Sequence, residues 1–475
     1  MSDTEKPGFR FPSAFTILFA LILLVAALTW IIPAGQYARV ASDALGKDVP
    51  VAGSYALTEA DPQGVFDVLL APIAGFYDPD SYAANAIDVS LFVLIIGGFI
   101  GVVTATGAID AGIKRAMARA KGREAWMIPF LMALFALGGT TYGMAEETLA
   151  FYVILTPVMI AAGYDALVAV AVILLGAGVG VLGSTINAFS TVIASDAAGV
   201  SFADGLVLRL AILAVCWAVT VAFVMRYAAR VKADPSKSLV FDRKATNEAH
   251  FLTETAADVA FTGLHKLVLV LFALTFAVMI WGVSSGGWWM AQMSALFLFA
   301  AILIGIIARL GEGKLVESFV NGARDLLGVA LIIGLARGIV VVMDAGHITD
   351  TILHAAETSV AGLSQTAFIL VIYWIEFGLS FFVPSTSGLA VLSMPILAPV
   401  ADFAGVKREL VVTAFATGSG MVNLITPTSA VVMGGLAICR VPYERWLRFV
   451  WPLLVILTVI LMAALALATT IGATP

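Results

Sequence analysis

The chain has 475 residues, of which 61% are hydrophobic and 12% charged, with a formal net charge of −6. A soluble domain of this length cannot hide such an apolar fraction, so composition excludes a soluble globular protein and requires a polytopic protein of the lipid bilayer. The acidic balance, carried largely by one loop, argues against nucleic acid as a partner, and the two cysteines, Cys216 and Cys439, lie in or beside apolar spans and supply no disulfide or metal framework.

The N-terminal segment MSDTEKPGFRF is short and polar. The apolar run 14–32 lacks a small-x-small cleavage site, ends at WIIPAG and reads as a retained first helix. Residues 34–90 carry Asp43, Asp48, Glu59, Asp61, Asp67, Asp78, Asp80 and Asp88 against only Arg39 and Lys47. Scarcity of Lys and Arg places this loop outside. A second helix, about 90–110, returns to Lys114, Arg115, Arg119, Lys121 and Arg123, a cytoplasmic signature. Asp110 and the basic residues after it start an amphipathic segment, read as interfacial, with 346–362 as its counterpart in the second half.

The apolar segments 126–138 and 146–162 are each short for a full span. A re-entrant hairpin over 126–162 keeps both ends on the basic side and puts the polar tip GGTTYGMAEET (138–148) near the midplane. The chain then crosses outward through 165–196, broken at GSTIN, and returns through a helix starting at 206 to Arg226, Arg230 and Lys232. Loop charges keep parity only if the hairpin does not cross. Residues 229–262 are the one long polar linker, and a helix at 265–283 leads to SSGGWW, an aromatic belt signal.

The second half repeats the first from the opposite side. Helices at 290–308 and 326–343 precede a hairpin at 366–402, with tip VPSTSG (383–388), and a broken helix at 409–438 containing GSGMVNLITPTS. A helix at 447–468 leaves the C-terminus outside. The repeat is visible in letters: TATGAIDAGIKRAMA aligns with MDAGHITDTILHAAE, TPVMIAAGYD with MPILAPVADFAGV, and Asn187 with Asn423. The reading is an all-α membrane protein of inverted repeats, with about nine spanning helices, two re-entrant hairpins and two broken helices. It divides as 1–228, a linker and connecting helix at 229–288, and 289–475.

Polar, glycine-rich interruptions at membrane depth are tolerated where they are buried in protein or line a cavity. Their recurrence in corresponding places points to a transporter binding site. Thr140, Thr141, Ser184, Thr185, Asn187, Ser385, Thr386, Ser387, Ser419, Asn423 and Thr426 could bind a carboxylate or a cation there; the alternative is that small and hydroxylated residues only let helices pack closely.

Glu146 and Glu147 stand on one tip, where an intramembrane carboxylate costs roughly 2.5–3.5 kcal/mol on insertion scales and needs a reason. They could hold a cationic substrate group or carry a coupling proton; the alternative is stabilisation of the first turn of the hairpin's second arm. Arg337, in LIIGLARGIVVV, reads as a carboxylate anchor, and Glu376, in YWIEFG, as a coupling or cation-binding group, unless the two pair with each other or with another buried partner. Coupling-ion candidates are thus Glu146, Glu147, Glu376, Asn187 and Asn423. Asp344, His347 and Asp350 fall at the interface, with His347 a candidate proton relay. No GxxxxGK[ST] loop supports ATP drive, no catalytic cluster supports an enzyme, and a passive channel has no need of paired hairpins. No cofactor is expected beyond Na+ or H+.

The stretches GTTYGMAEETLAFYVIL, TSGLAVLSMPILAP and NLITPTSAVVMGGLAICRVPYERWL resemble the YfcC-type branch of the anaerobic C4-dicarboxylate carrier family, within the ion transporter superfamily. The likeness runs from WIIPAGQY to the C-terminal helix; VPSTSG lacks the Asn expected near the Pro-Thr-Ser-Gly. The resemblance implies homodimers in a bacterial-type inner membrane, with a fixed scaffold and an elevator-like transport part. It also implies proton- or sodium-coupled transport, or exchange, of small carboxylates or amino acids. The branch is provisionally labelled for basic amino acid antiport while the wider family is named for dicarboxylates, so a basic amino acid is the expected substrate and a C4-dicarboxylate the alternative.

Overall fold

The computed structural model describes residues 12–42, 47–109, 111–112, 115, 124–141, 143–252, 261–286, 288–360 and 362–471. Asp110, Lys114 and Arg119 of the amphipathic segment lie outside the described residues.

Helix α1 (Ala14–Leu28) starts where the Ser13 hydroxyl accepts from the Thr16 N–H at 3.3 Å. The following stretch is not a plain loop. Strands β1 (Gly35–Gln36) and β4 (Ala56–Leu57) pair antiparallel, as do β2 (Arg39–Ser42) and β3 (Lys47–Pro50). A short helix α2 (Val65–Ala74) then leads to α3 (Ile87–Ala105). The first helical pair is α4 (Met127–Thr141) and α5 (Thr148–Ala161). The first broken helix comprises α6 (Ala166–Leu182) and α7, a wide π turn (Ala188–Val192) running into Ile193–Ala198.

Helix α8 (Leu206–Ala233), α9 (Lys244–Phe251) and α10 (Gly263–Gly286) lead into the second half. That half consists of α11 (Met290–Ile307), α12 (Glu312–Asp325), α13 (Leu327–Ala345), α14 (Thr349–Ser359), the pair α15 (Gln365–Phe382) and α16 (Thr386–Phe403), the broken helix α17 (Arg408–Val422) and α18 (Ala430–Ile438), and α19 (Tyr443–Ile471). The short strands, α2, α9 and α12 are additions to the arrangement expected from sequence. In α12 the charges at both ends mask an apolar strip of Leu315, Phe319 and Gly322 that faces inward.

The contacts of the two halves pair off. Helix α3 lies on α11 and α12, and α13 lies on α1 and α2; α3 and α13 also touch each other. A Cβ on Gly322 would sit 2.2 Å from the Gly97 carbonyl, and one on Gly338 would sit 2.6 Å from that of Ala71, so both crossings bring backbones together. In the remaining part α4 packs along α6 as α15 does along α17, and α5 packs on α18 as α16 does on α7. Helices α6 and α17 cross at the centre, where a Cβ on Gly420 would lie 2.7 Å from Leu182 Cα.

Both ends of the α4–α5 pair come together at Lys232, whose Nζ is 3.3 Å from Glu124 and 5.1 Å from the Tyr164 ring centroid. Both ends of α15–α16 come together elsewhere: Gln365 Nε2 donates to the Gly405 carbonyl at 3.0 Å, and Arg408 pairs with Asp402 while donating to the Ala198 carbonyl. Eight helices among the described residues are long and apolar enough to cross a membrane. That set differs from the nine spans read in the sequence. It takes straight pieces of at least 18 residues, so both broken helices, α1 and α10 drop out, and α4 (from Glu124), α15 and α16 enter it.

Candidate functional site

Each break is tied to the tip beside it. Helix α6 stops at Leu182, and the chain leaves helical geometry until Asn187, whose side chain accepts from the Phe189 N–H at 2.9 Å and donates from Nδ2 to the Gly139 carbonyl at 3.1 Å. The Thr185 and Ile186 amides both donate to the Thr140 carbonyl, and the Thr140 hydroxyl donates to the Gly183 carbonyl at 3.1 Å. Gly143 turns the tip with φ +78°, where a Cβ would lie 2.6 Å from Asn187 Oδ1. Only glycine fits both constraints.

In the second half α17 runs through Gly418 and Ser419 to Val422, so the break begins at Asn423. Asn423 Nδ2 reaches the Thr386 hydroxyl at 3.4 Å, the Thr428 hydroxyl donates to the Phe381 carbonyl at 3.0 Å, and Ser385 caps α16 by accepting from the Gly388 N–H at 3.2 Å.

Between the tips lies a cavity of about 380 Å³. The structure brings Glu146, Glu147, Asn187, Arg337, Ser385, Thr386, Ser387 and Asn423 to its wall. It sets the other hydroxyls behind that wall: Thr140, Ser184, Thr185, Ser419 and Thr426 are buried and line no part of it, and Thr141 turns back to the Leu137 carbonyl at 2.6 Å. Thr140 and Thr185 bond to each other and to the backbone at the break, so their hydroxyls are spent on holding the tip. Thr426 is spent likewise on Thr428, 2.7 Å away.

The two adjacent glutamates are not equivalent. Glu147 is buried, and its Oε2 accepts from the Ala145 N–H at 3.1 Å, closing the tip on itself. Glu146 is half-buried and faces the cavity. Arg337, Glu376 and the glutamates make no ion pair with one another among the described residues. The mutual pairing of Arg337 and Glu376 read as one option in the sequence is therefore absent: Arg337 points to the cavity, while Glu376 is fully buried outside its wall.

Sequence reasoning missed Asp88 and Trp289. Asp88, counted with the outer loop, stands in the first turn of α3 and lines the same cavity; the Trp289 indole donates to its Oδ2 at 3.1 Å. Phe189 from the first break lies against Trp289, with ring centroids 5.2 Å apart. The available signal was a lone carboxylate at a helix N-terminus, where the dipole favours negative charge, and a tryptophan N–H that needs an acceptor.

A second cavity of about 400 Å³ shares Arg337 with the first and adds Gln36, Arg39, Asp344, His347 and Asp350. Here β2 and α14 are clasped together: Arg39 pairs with Asp350 at 3.0 Å, and Asp350 also accepts from the Tyr37 N–H at 3.0 Å. His347 Nδ1 lies 2.6 Å from Gln36 Nε2. Among the described residues no cluster of three or more His, Cys, Asp or Glu could hold a metal ion.

Many apolar helices, two of them broken around a shared polar cavity, define the class of multi-pass membrane transporters. A family model for the C4-dicarboxylate anaerobic carriers (DcuC) matches residues 11–470, and the chain belongs to that family. An uncharacterized protein of Haemophilus influenzae is 37% identical over 495 residues, covering 95% of this chain and 96% of that one. YfcC of Escherichia coli K12, whose provisional name is basic amino acid antiporter, is 33% identical over 482 residues, covering 94% of each. Among solved structures, the YdaH transporter of Alcanivorax borkumensis has a TM-score of 0.42 at 13% identity, covering 97% of this chain and 99% of that one. MtrF of Neisseria gonorrhoeae has 0.43 at 15%, covering 97% and 95%.

Proposed function

We propose that this protein is a secondary active transporter of a basic amino acid, arginine- or ornithine-like, working by exchange or by H+ or Na+ coupling. One observation carries the substrate: the cavity wall holds three carboxylates, Asp88, Glu146 and Glu147, and one guanidinium, Arg337. A solute with one carboxylate and an additional positive group complements that set. Arg337 would take the carboxylate, aided by the amide-rich start of α16 and the Ser385–Ser387 hydroxyls; Glu146 would face the cation. The name of YfcC agrees with this reading.

The mechanism proposed is elevator transport. The α4–α5 and α15–α16 pairs act as re-entrant hairpins, entering from opposite sides, and move with the broken helices, α8 and α19 against a scaffold of α1–α3 and α11–α13. The meeting of each pair's two ends at its own base, Lys232 for one and Gly405 for the other, supports re-entry. The matched contacts of the two halves support an inverted repeat. Loop charges support an inner-membrane orientation with the N-terminus cytoplasmic and the C-terminus outside, and the protein would work as a homodimer.

A C4-dicarboxylate is the second reading, favoured by Arg337 and by the family's name. The test is a thermal-shift panel of amino acids and C4-dicarboxylates on purified protein, repeated with Glu146→Gln and Glu147→Gln. Basic amino acids are expected to stabilise the wild type, and Glu146→Gln to weaken them more than Glu147→Gln. Binding of a dicarboxylate that both variants leave intact replaces the first reading with the second.

A further inference from the structure

Glu376 belongs to neither cavity. It sits in α15, about 9 Å short of the tip end at Phe382 at 1.5 Å per residue. It is 0% exposed, and neither of its carboxyl oxygens has a hydrogen-bond partner of good geometry. The site lies at a close approach of α15 to α17: a Cβ on Gly418 would lie 2.8 Å from the Tyr373 carbonyl and 3.4 Å from Glu376 Cβ.

The polar side chain beside Glu376 is that of Ser393 in α16, itself 0% exposed. Its hydroxyl proton is already given to the Leu389 carbonyl at 2.9 Å. While that bond is kept, the Ser393 oxygen is left to accept from a second partner. A carboxylate brings no hydrogen to it, whereas a carboxylic acid does. Charged groups on the helices packed against α15 stand at helix ends: Asp402 of α16, Arg408 and Glu409 of α17, and Glu444, Arg445 and Arg448 of α19. The nearer titratable groups are Tyr373, one turn away on α15, and Cys216 of α8, which adjoins Tyr373. Among the described residues no cation pairs with Glu376, and an unpaired charge in such a place is strongly disfavoured.

We propose that Glu376 is a proton-binding site, apart from the substrate cavity, through which transport is coupled to H+. The proposal rests on the transporter reading above and names its coupling ion. The acid form, donating to Ser393, lets the α15–α16–α17 unit move without a bare carboxylate in its interior. The proton leaves when the tip at Ser385–Thr386 parts from Asn423 and admits water, and the bare carboxylate then holds the unit until a proton returns.

The test uses the full-length protein in proteoliposomes with labelled L-arginine and labelled succinate as probes. An inwardly directed proton gradient is expected to drive accumulation of one probe by the wild type. Glu376→Gln is expected to lower that accumulation about tenfold or more, and to make whatever exchange it retains independent of pH. Unchanged gradient-driven uptake in Glu376→Gln, or a wild type driven by sodium alone, overturns the proposal. If neither probe is moved by the wild type, the substrate reading fails, and Glu376 is judged by infrared spectroscopy of the wild type and two variants. A carboxylic-acid carbonyl band at neutral pH that shifts in Ser393→Ala and vanishes in Glu376→Gln supports the proton site; its absence from the wild type sinks it. Should Glu376→Gln not fold, the Ser393→Ala shift decides alone.

Discussion

Asn187 donates to the Gly139 carbonyl at 3.1 Å, while the side chain of its counterpart Asn423 meets, among the described residues, only the Thr386 hydroxyl, at 3.4 Å. The first contact is to buried backbone and is joined by the cap on Phe189; the second joins two side chains at the cavity wall. Asn187→Ala is accordingly expected to cost about 1–3 kcal/mol of stability by orphaning buried groups, and Asn423→Ala less than about 1 kcal/mol. Gly143→Ala, strained at its positive φ and crowded by Asn187, should resemble Asn187→Ala. Apparent melting temperatures of the three variants check the order, and a more damaging Asn423→Ala would contradict it.

Asp88 and Trp289 come from helices far apart in sequence and close over the cavity together, with Phe189 against the indole. Asp88→Asn should weaken binding of a cationic amino acid by about tenfold, the worth of one hydrogen bond to a charged group at the lower end of its range. Trp289→Phe keeps the carboxylate and the ring contact, so it should cost less. Titration by thermal shift reads both, and equal affinities for wild type and Asp88→Asn would remove Asp88 from the substrate's surroundings.

The four-part arrangement of tips and breaks was legible because letters and hydropathy repeat together, which brought Asn187, Asn423 and Ser385–Ser387 forward. Which hydroxyl faces the cavity was not legible. Thr140 and Thr141 differ by one helical step, yet one locks the break and the other bonds its own helix. The same holds for Glu146 and Glu147, whose roles diverge through a single backbone contact at Ala145. Asp88 differed from the seven other acids of its loop only in opening the apolar run of α3, and that α3 begins beside the cavity was not legible. Helix α12 was hidden for a different reason: charge at its ends outweighed the spacing of Leu315, Phe319 and Gly322.

The α3–α12 crossing allows a controlled comparison of glycines. A methyl group on Gly322 would meet the Gly97 carbonyl at 2.2 Å, whereas nothing lies within 4 Å of one added to Gly378. Gly322→Ala should therefore destabilise by about 1–3 kcal/mol through overpacking. Gly378→Ala should stabilise by up to about 1 kcal/mol, since alanine loses less backbone freedom in a helix. Melting temperatures that move the same way in both variants would refute the close crossing.

The Arg39–Asp350 clasp predicts an asymmetry. The Asp350 side chain is 4% exposed and that of Arg39 42%, so removal of either partner has a different consequence. Arg39→Ala leaves a buried carboxylate supported by the Tyr37 N–H alone and should cost about 1–2 kcal/mol, discounted because the guanidinium is partly solvated. Asp350→Asn keeps an acceptor for Tyr37 and returns Arg39 to water, and should cost less. The double variant should then be more stable than Arg39→Ala alone, because the uncompensated charge is gone. A double-mutant cycle on melting temperature tests this; additive losses would mean that the pair is a surface contact and the β2–α14 junction is held by backbone alone.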